Sequence, residues 1–162
     1  MCAQTVTPEV GRDSVVDAVL SASRVLVAVA ARSLGDVAEE VTLTQYRTLV
    51  VLASRGPQSL AALAEAIDVT PPTATRMCDR LIRKGLVQRR HERGDRRLIR
   101  LSLSEKGQVL VHAVTERRRA EITDLLKAIP REQQTALVDS LQRLSAAAGE
   151  VPEQDWSAGW DL

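Results

Sequence analysis

The feature that most restricts this chain is the order of short segments in residues 59–104, SLAALAEAIDVTPPTATRMCDRLIRKGLVQRRHERGDRRLIRLSLS. Leu60, Leu63, Ala64 and Ile67 recur at helical spacing and stop at Asp68-Val69-Thr70. Thr70 is a good N-cap residue, and Pro71 behind it suits a first helical position, where its missing N–H is not needed. None of these segments is long enough to be stable alone, so they must pack on one another as helix, tight turn, helix and then hairpin.

In the second helix Ala74, Met77, Cys78 and Leu81 fall within one arc, while Pro72, Thr75, Arg76, Asp79, Arg80 and Arg83 share the opposite face. One face packs and the other is left to touch a partner. Lys84-Gly85 reads as a helix stop, with the glycine suited to a left-handed C-cap. Two alternating runs follow, 86–90 and 98–103, around a basic hairpin tip, His91-Glu92-Arg93-Gly94-Asp95-Arg96.

Charge is concentrated in the same block. Between residues 76 and 100 there are ten Arg and Lys against three Asp and Glu, a local +7, although the whole chain is +1 and the remainder is therefore −6. A polyanionic partner needs a local patch rather than a basic average, so the near-neutral total does not argue against nucleic acid.

Other function classes are poorly supplied. The sequence holds no glycine-rich phosphate loop and no Gly-x-Ser-x-Gly elbow, so we expect no enzyme and no cofactor. Its two histidines, His91 and His112, and two cysteines, Cys2 and Cys78, do not fall at ligand spacing, and no metal site is expected. Free thiols, rather than a disulfide, follow from one cysteine near the terminus and one on a packing face. The longest unbroken apolar run, 25–31, is short of a membrane span, and no basic leader precedes an apolar segment. A soluble, cytoplasmic protein without a membrane partner is expected.

The run GDRRLIRLSLSEKG, preceded by TPPTATRMCDRLIRKGLVQR and by LTQYRTLVVLA from Leu43, resembles the winged helix-turn-helix regulators of the multiple-antibiotic-resistance (MarR) type. The likeness spans roughly residues 15–146, and its more specific part is Asp95-x-Arg97 followed by Leu103-Ser104-x-x-Gly107. It implies a homodimer on double-stranded DNA with a palindromic operator, released by a small hydrophobic or phenolic effector. In the wing it implies that Arg97 reaches the minor groove and that the Asp95 carboxylate orients it.

The residues themselves suggest how DNA would be held. The helix from Pro71 would enter the major groove with Pro72, Thr73, Thr75, Arg76, Arg80 and Arg83, while Thr70 and the helix N-terminus hold a phosphate. Arg76 is the best base reader, since a guanidinium can bond guanine O6 and N7 together. Its alternatives are a phosphate clamp or an ion pair with Asp79 or Asp95. With Arg97 and Asp95 placed as the resemblance implies, Arg93 and Arg96 would be nearby phosphate ligands.

The flanks read as helices. With 162 residues, 44% hydrophobic and rich in Ala, Val and Leu, with no Phe, the chain favours helix packing. The expected fold is mostly α with a small β-hairpin wing, organised as helical dimerisation regions at 13–34 and 104–147, a winged helix-turn-helix at 43–103 and an acidic tail at 148–162. Val16, Val19, Leu20, Ser23, Val27 and Ala30 form one stripe on the first helix, which either packs locally or makes a seam with a second chain. Thr44 is the expected cap of the helix carrying Tyr46, Leu49, Val50 and Ala53. Ser104 caps a helix to about 129, with Glu116-Arg117-Arg118-Arg119 as a charged belt that is either solvated or steers phosphates, and a further helix covers 132–147.

Tyr46, Arg47 and His112 are the candidate effector residues, Tyr46 being otherwise a plain core tyrosine. The tail carries Trp156 and Trp160 among acidic residues and is either loose or packed on its own dimer. Two other functions stay open: a winged-helix protein-interaction module without specific DNA binding, and a cysteine-based redox-sensing regulator.

Overall fold

Residues 11–35, 37, 41–92 and 95–156 are described by the computed structural model, with the backbone alone over 91, 92 and 95–98. In chain order they form α1 (Arg12–Leu34), α2 (Leu43–Arg55), α3 (Leu60–Ala66), α4 (Pro71–Arg83), β1 (Val87–Glu92), β2 (Asp95–Leu103), α5 (Glu105–Leu126), α6 (Arg131–Ala147) and a single 3₁₀ turn at Glu153–Asp155. This is the mostly helical architecture with a β-hairpin wing that the sequence implies.

The core is built round α2. Tyr46, Leu49, Val50, Val51, Leu52 and Ala53 are all buried, and so are the polar Gln45, Thr48 and Ser54, so the helix is enclosed on nearly every side. Its cap is Thr42 rather than the expected Thr44. The Thr42 hydroxyl accepts from the Gln45 N–H at 3.3 Å while the Gln45 side chain accepts from the Thr42 N–H, a capping box that places Thr44 inside the first turn. At the other end Gly56 takes a φ of +71° and turns the chain into α3.

Between α3 and α4 the tight turn is made at Asp68, whose φ of +52° is a left-handed conformation that aspartate tolerates better than most side chains. At the end of α4, Gly85 has a φ of +72°, and the Leu86 N–H bonds Leu81 O at 3.0 Å while the Gly85 N–H bonds Ile82 O at 2.9 Å. That is the left-handed stop expected at Lys84-Gly85.

β1 and β2 pair antiparallel from Val87↔Leu103 to His91↔Ile99, then shift at His91/Glu92 so that Glu92 faces Asp95. The strands extend past the expected 86–90 and 98–103 because backbone groups carry the ladder, whatever the charge of the side chains. One strand contact escaped the sequence. Gln58 bridges Leu101 through N–H···O bonds of 2.9 and 2.7 Å, tying the α2–α3 connection to the hairpin, and a single bridging residue has no periodicity to read.

Ser104 caps α5 as expected, accepting from the Gly107 N–H at 3.0 Å. Gly107 allows the close approach that seats α5 on the wing: a Cβ there would stand 2.1 Å from Leu86 O. α5 stops at Leu126 rather than 129, and α6 begins at Arg131 after Pro130.

The flanking helices are covered far less. On α1 only Val29, Ser33 and Leu34 are buried, whereas Val16, Val19, Leu20 and Val27 lie open, and α6 has no buried residue although Val138, Leu141 and Leu144 are apolar. α1 is also long and apolar enough by length and composition to cross a membrane. The unbroken run 25–31 understated this, because Asp17 and Arg24 interrupt the sequence without lowering the average much.

Candidate nucleic-acid interface and effector cleft

The packing face of α4 is the one expected: Ala74, Cys78 and Leu81 are buried and Met77 is half-buried against the core. That orientation leaves Pro72, Arg76, Arg80 and Arg83 exposed together, with Thr73 and Thr75 half-buried beside them. Asp79, an alternative partner for Arg76, is taken by Arg89 of β1 at 2.7 Å, so the pair links the wing's first strand to α4. A guanidinium at Arg76 is thereby left on the open face.

The front of α4 is narrower in donors than a general helix N-terminus. Pro71 and Pro72 both lack an N–H, so a phosphate there would rely on the Thr73 N–H and on hydroxyls. Thr70 caps α4 through its carbonyl, which accepts from the Ala74 N–H at 3.0 Å, while its side chain makes no cap bond and its hydroxyl lies 3.0 Å from that of Thr73. The Thr75 hydroxyl donates to Pro71 O at 2.9 Å, which commits its proton and leaves an acceptor and a methyl for a partner.

In the wing, Arg93 lies outside the described residues, and Asp95, Arg96 and Arg97 are placed by their backbone at the start of β2. The register sets Asp95 opposite Glu92 at the end of β1, so all three belong to the same hairpin as β1 Arg89 and Arg90, both exposed.

Cys78 does not suit redox sensing. It is 2% exposed, and burial, helped by the neighbouring Asp79 and opposed by Arg89, pushes its thiol up to about 11. A thiol so shifted is almost entirely protonated at neutral pH, and the thiolate is the reactive form. Cys2 lies outside the described residues.

The second candidate site lies between α2 and α5. Tyr46 and Arg47 share an open cleft with Thr115, Arg118, Glu150 and Trp156, and a second one opens beside it toward Ala30 and Leu43. Tyr46 is buried, its hydroxyl 3.4 Å from the Thr115 hydroxyl, and the Arg118 guanidinium lies over its ring at 5.4 Å. Desolvation raises the Tyr46 phenol, against the lowering effects of Thr115 and Arg118. His112 is not brought to this cleft; it lines an adjoining one with Thr115, Glu116, Arg119 and Trp156.

Two features here were not legible in the sequence. The belt on α5 is exposed at Glu116, Arg117 and Arg119, but Arg118 is half-buried over Tyr46 and Arg119 pairs with Glu116 and Glu153. The tail, in turn, packs on its own chain. Arg47 holds the Glu150 carboxylate through two bonds of 2.8 and 2.6 Å, Arg55 donates to Gly149 O at 3.1 Å, and Trp156 packs against the core while its Nε1 donates to Val151 O at 3.3 Å. Trp160 lies outside the described residues.

Comparison with known proteins agrees with this geometry. Residues 41–99, from the start of α2 to the wing, match the model of the MarR family. The chain is 31% identical over 119 residues to the HTH-type transcriptional repressor MdtR of Bacillus subtilis, covering 74% of this chain and 77% of that protein. Among solved structures it is similar to RV1404 from Mycobacterium tuberculosis, with 36% identity, a TM-score of 0.79 and coverage of 94% of this chain and 99% of that one. It also shares its fold with NadR in complex with 4-hydroxyphenylacetate, at 23% identity and a TM-score of 0.62, over 90% and 98% of the two chains. An exposed arginine face on the second helix of a helix-turn-helix, a β wing beside it and this likeness across most of the chain lead to one conclusion: the protein belongs to the MarR family of winged helix-turn-helix transcription regulators.

Proposed function

We propose that the protein is a cytoplasmic, homodimeric repressor that reads a palindromic operator and is released by a small aromatic or other hydrophobic anion. The observation that carries this reading is the division of α4 into a buried face of Ala74, Cys78 and Leu81 and an open face of Pro72, Arg76, Arg80 and Arg83. Arg76 and Arg80 are the base-contacting candidates in the major groove, Thr73 and Thr75 the weaker ones, and Thr70 and Arg83 with Arg93 and Arg96 the phosphate ligands. Arg97, oriented by Asp95, enters the minor groove, where a narrow A/T-rich tract concentrates negative potential.

Selectivity asks for two copies. The apolar faces left open on α1 and α6 supply a natural seam, and a two-fold pair would set its α4 helices on major-groove faces about 34 Å apart. The cleft at Tyr46, Arg47 and Arg118 joins α2 of the reading head to α5 of the stalk, so a ligand there would favour one head spacing over another. NadR, of the same fold, takes a phenolic carboxylate, and two guanidiniums beside an aromatic ring suit such a ligand here.

Selection of duplexes from a random pool, followed by salt titration, tests this. The expected result is a palindrome with half-sites one helical turn apart, affinity falling steeply with salt, and a loss of about 1–3 kcal/mol of discrimination at one base pair in Arg76→Ala. Equal, weak binding to all duplexes, unchanged by Arg76→Ala, would instead favour a protein-interaction module.

A further inference from the structure

The carboxylate site of the cleft is already filled by the chain itself. Glu150 meets Arg47 end-on, each carboxylate oxygen taking one N–H from the two terminal nitrogens, a bidentate geometry by which a guanidinium holds a free carboxylate. The segment is brought there by a defined turn: Gly149, with a φ of +67°, ends α6, its N–H bonds Ala146 O at 3.0 Å, and the Glu150 N–H bonds Ser145 O at 3.0 Å. Beyond Glu150 the tail crosses to α5, where Glu153 accepts from Arg119 at 3.2 Å, and Trp156 closes the same cleft with its ring against the core.

We infer that residues 149–156 are a built-in occupant of this cleft, with Glu150 standing where the carboxylate of an acidic ligand would bind, so that such a ligand enters by displacing the tail from Arg47. The inference rests on the reading of this cleft as the effector site. The two charge pairs of the tail join side chains that are partly exposed, Arg47 at 41% with Glu150 at 35% and Arg119 at 60% with Glu153 at 52%, so they are weak enough to be exchanged for a ligand of the same charge. Arg118 adds a guanidinium over Tyr46 whose buried Nε has no hydrogen-bond partner among the described residues, a donor that the tail leaves unused and a ligand could take. A closed tail lowers the apparent affinity by the fraction of molecules that are open, and this sets the concentration at which the regulator responds. Neutral aromatics, which gain nothing from Arg47, would not displace it.

The test measures binding of benzoate, with benzamide as its neutral isostere, to the full chain by calorimetry, alongside operator affinity. Glu150→Gln should bind benzoate about threefold to tenfold more tightly than the native chain, with benzamide little changed. Arg47→Gln should abolish the preference for benzoate. In Trp160→Phe, where Trp156 is the remaining tryptophan, benzoate should shift the emission of the native tail, and Glu150→Gln should show part of that shift without ligand. Glu150→Asp, which keeps the charge and shortens the reach, serves as the second variant and should fall between the two. Unchanged or weaker benzoate binding in both Glu150 variants would overturn the inference, as would no benzoate binding to any chain. If benzoate binds more tightly to Glu150→Gln yet operator affinity never responds, the tail stands as an occupant and the effector reading fails instead.

Discussion

α1 and α2 are both strongly apolar helices, and the protein treats them in opposite ways. Leu49 and Val51 of α2 are essentially inaccessible, in a helix enclosed by α3, α5, the wing and the end of α1, while Val16, Val19 and Leu20 of α1 remain about half exposed. The same hydrophobic driving force acts on both. What differs is the supply of neighbours: α2 sits between short elements that need its surface, whereas α1 touches the rest of the chain mainly through its last turns and α5. An apolar stripe thus tells that a face will be covered, and not by which chain.

The largest effect that sharpens this contrast is expected in α2. Leu49→Ala leaves a hole in the core and should cost about 2–5 kcal/mol by urea denaturation, by the same amount in dilute and concentrated samples. A loss that shrank as protein concentration rose would place part of the α2 core in an interface and blur the distinction. In the stalk, Val19→Asp combined with Leu141→Asp should leave the reading head folded by circular dichroism and give monomers in sedimentation. Operator affinity should then fall roughly a hundredfold through loss of paired binding. A variant that stayed dimeric would show that the open faces of α1 and α6 are not the seam.

A smaller effect probes the joint between the two regions. Gly107→Ala drives a methyl group into Leu86 O and should lower stability by about 1–3 kcal/mol, seen as a drop in Tm, with α5 shifted on the wing and operator binding weakened in proportion. An unaltered Tm would mean that α5 can slide without strain. The smallest effect concerns the tail. The hydrogen bonds from Arg47, opposed by burial and helped by the charges of Arg47 and Arg55, hold the Glu150 carboxyl below the usual carboxylate range. A group whose folded pKa is lowered stabilises above its unfolded value and loses that contribution as the pH falls through the folded one. The tail should therefore loosen in acid, below about pH 4, followed through Trp156 emission, at a cost of about 0.5–1 kcal/mol for so exposed a pair. Glu150→Gln should remove that step.

Much of the reading head was legible because its determinants are local. Asp68 and Gly85 take the left-handed conformations that the turn residues imply, Pro71 opens α4, Ser104 caps α5, and the period of Ala74, Cys78 and Leu81 separates the two faces of α4. Thr42 could have been found by the same means, since Thr42-x-x-Gln45 is a capping box in plain view. Other features had no local sign. Gln58 joins the hairpin through one bridging residue, and Arg118 and Arg119, read as a surface belt, are drawn to Tyr46 and Glu153 by groups 72 and 34 residues away.

By itself, then, the sequence determined the kind and order of elements, the split faces of α4, the concentration of positive charge on the reader and the family likeness, because each depends on spacing, turn chemistry or composition. Only the tertiary structure decided that His112 stands apart from Tyr46 and Arg47, that Asp79 belongs to Arg89 and that the tail lies across the cleft. These are meetings of distant side chains. Their partners are selected by how helices pack round α2, a property of the assembled core that no window of neighbouring residues contains.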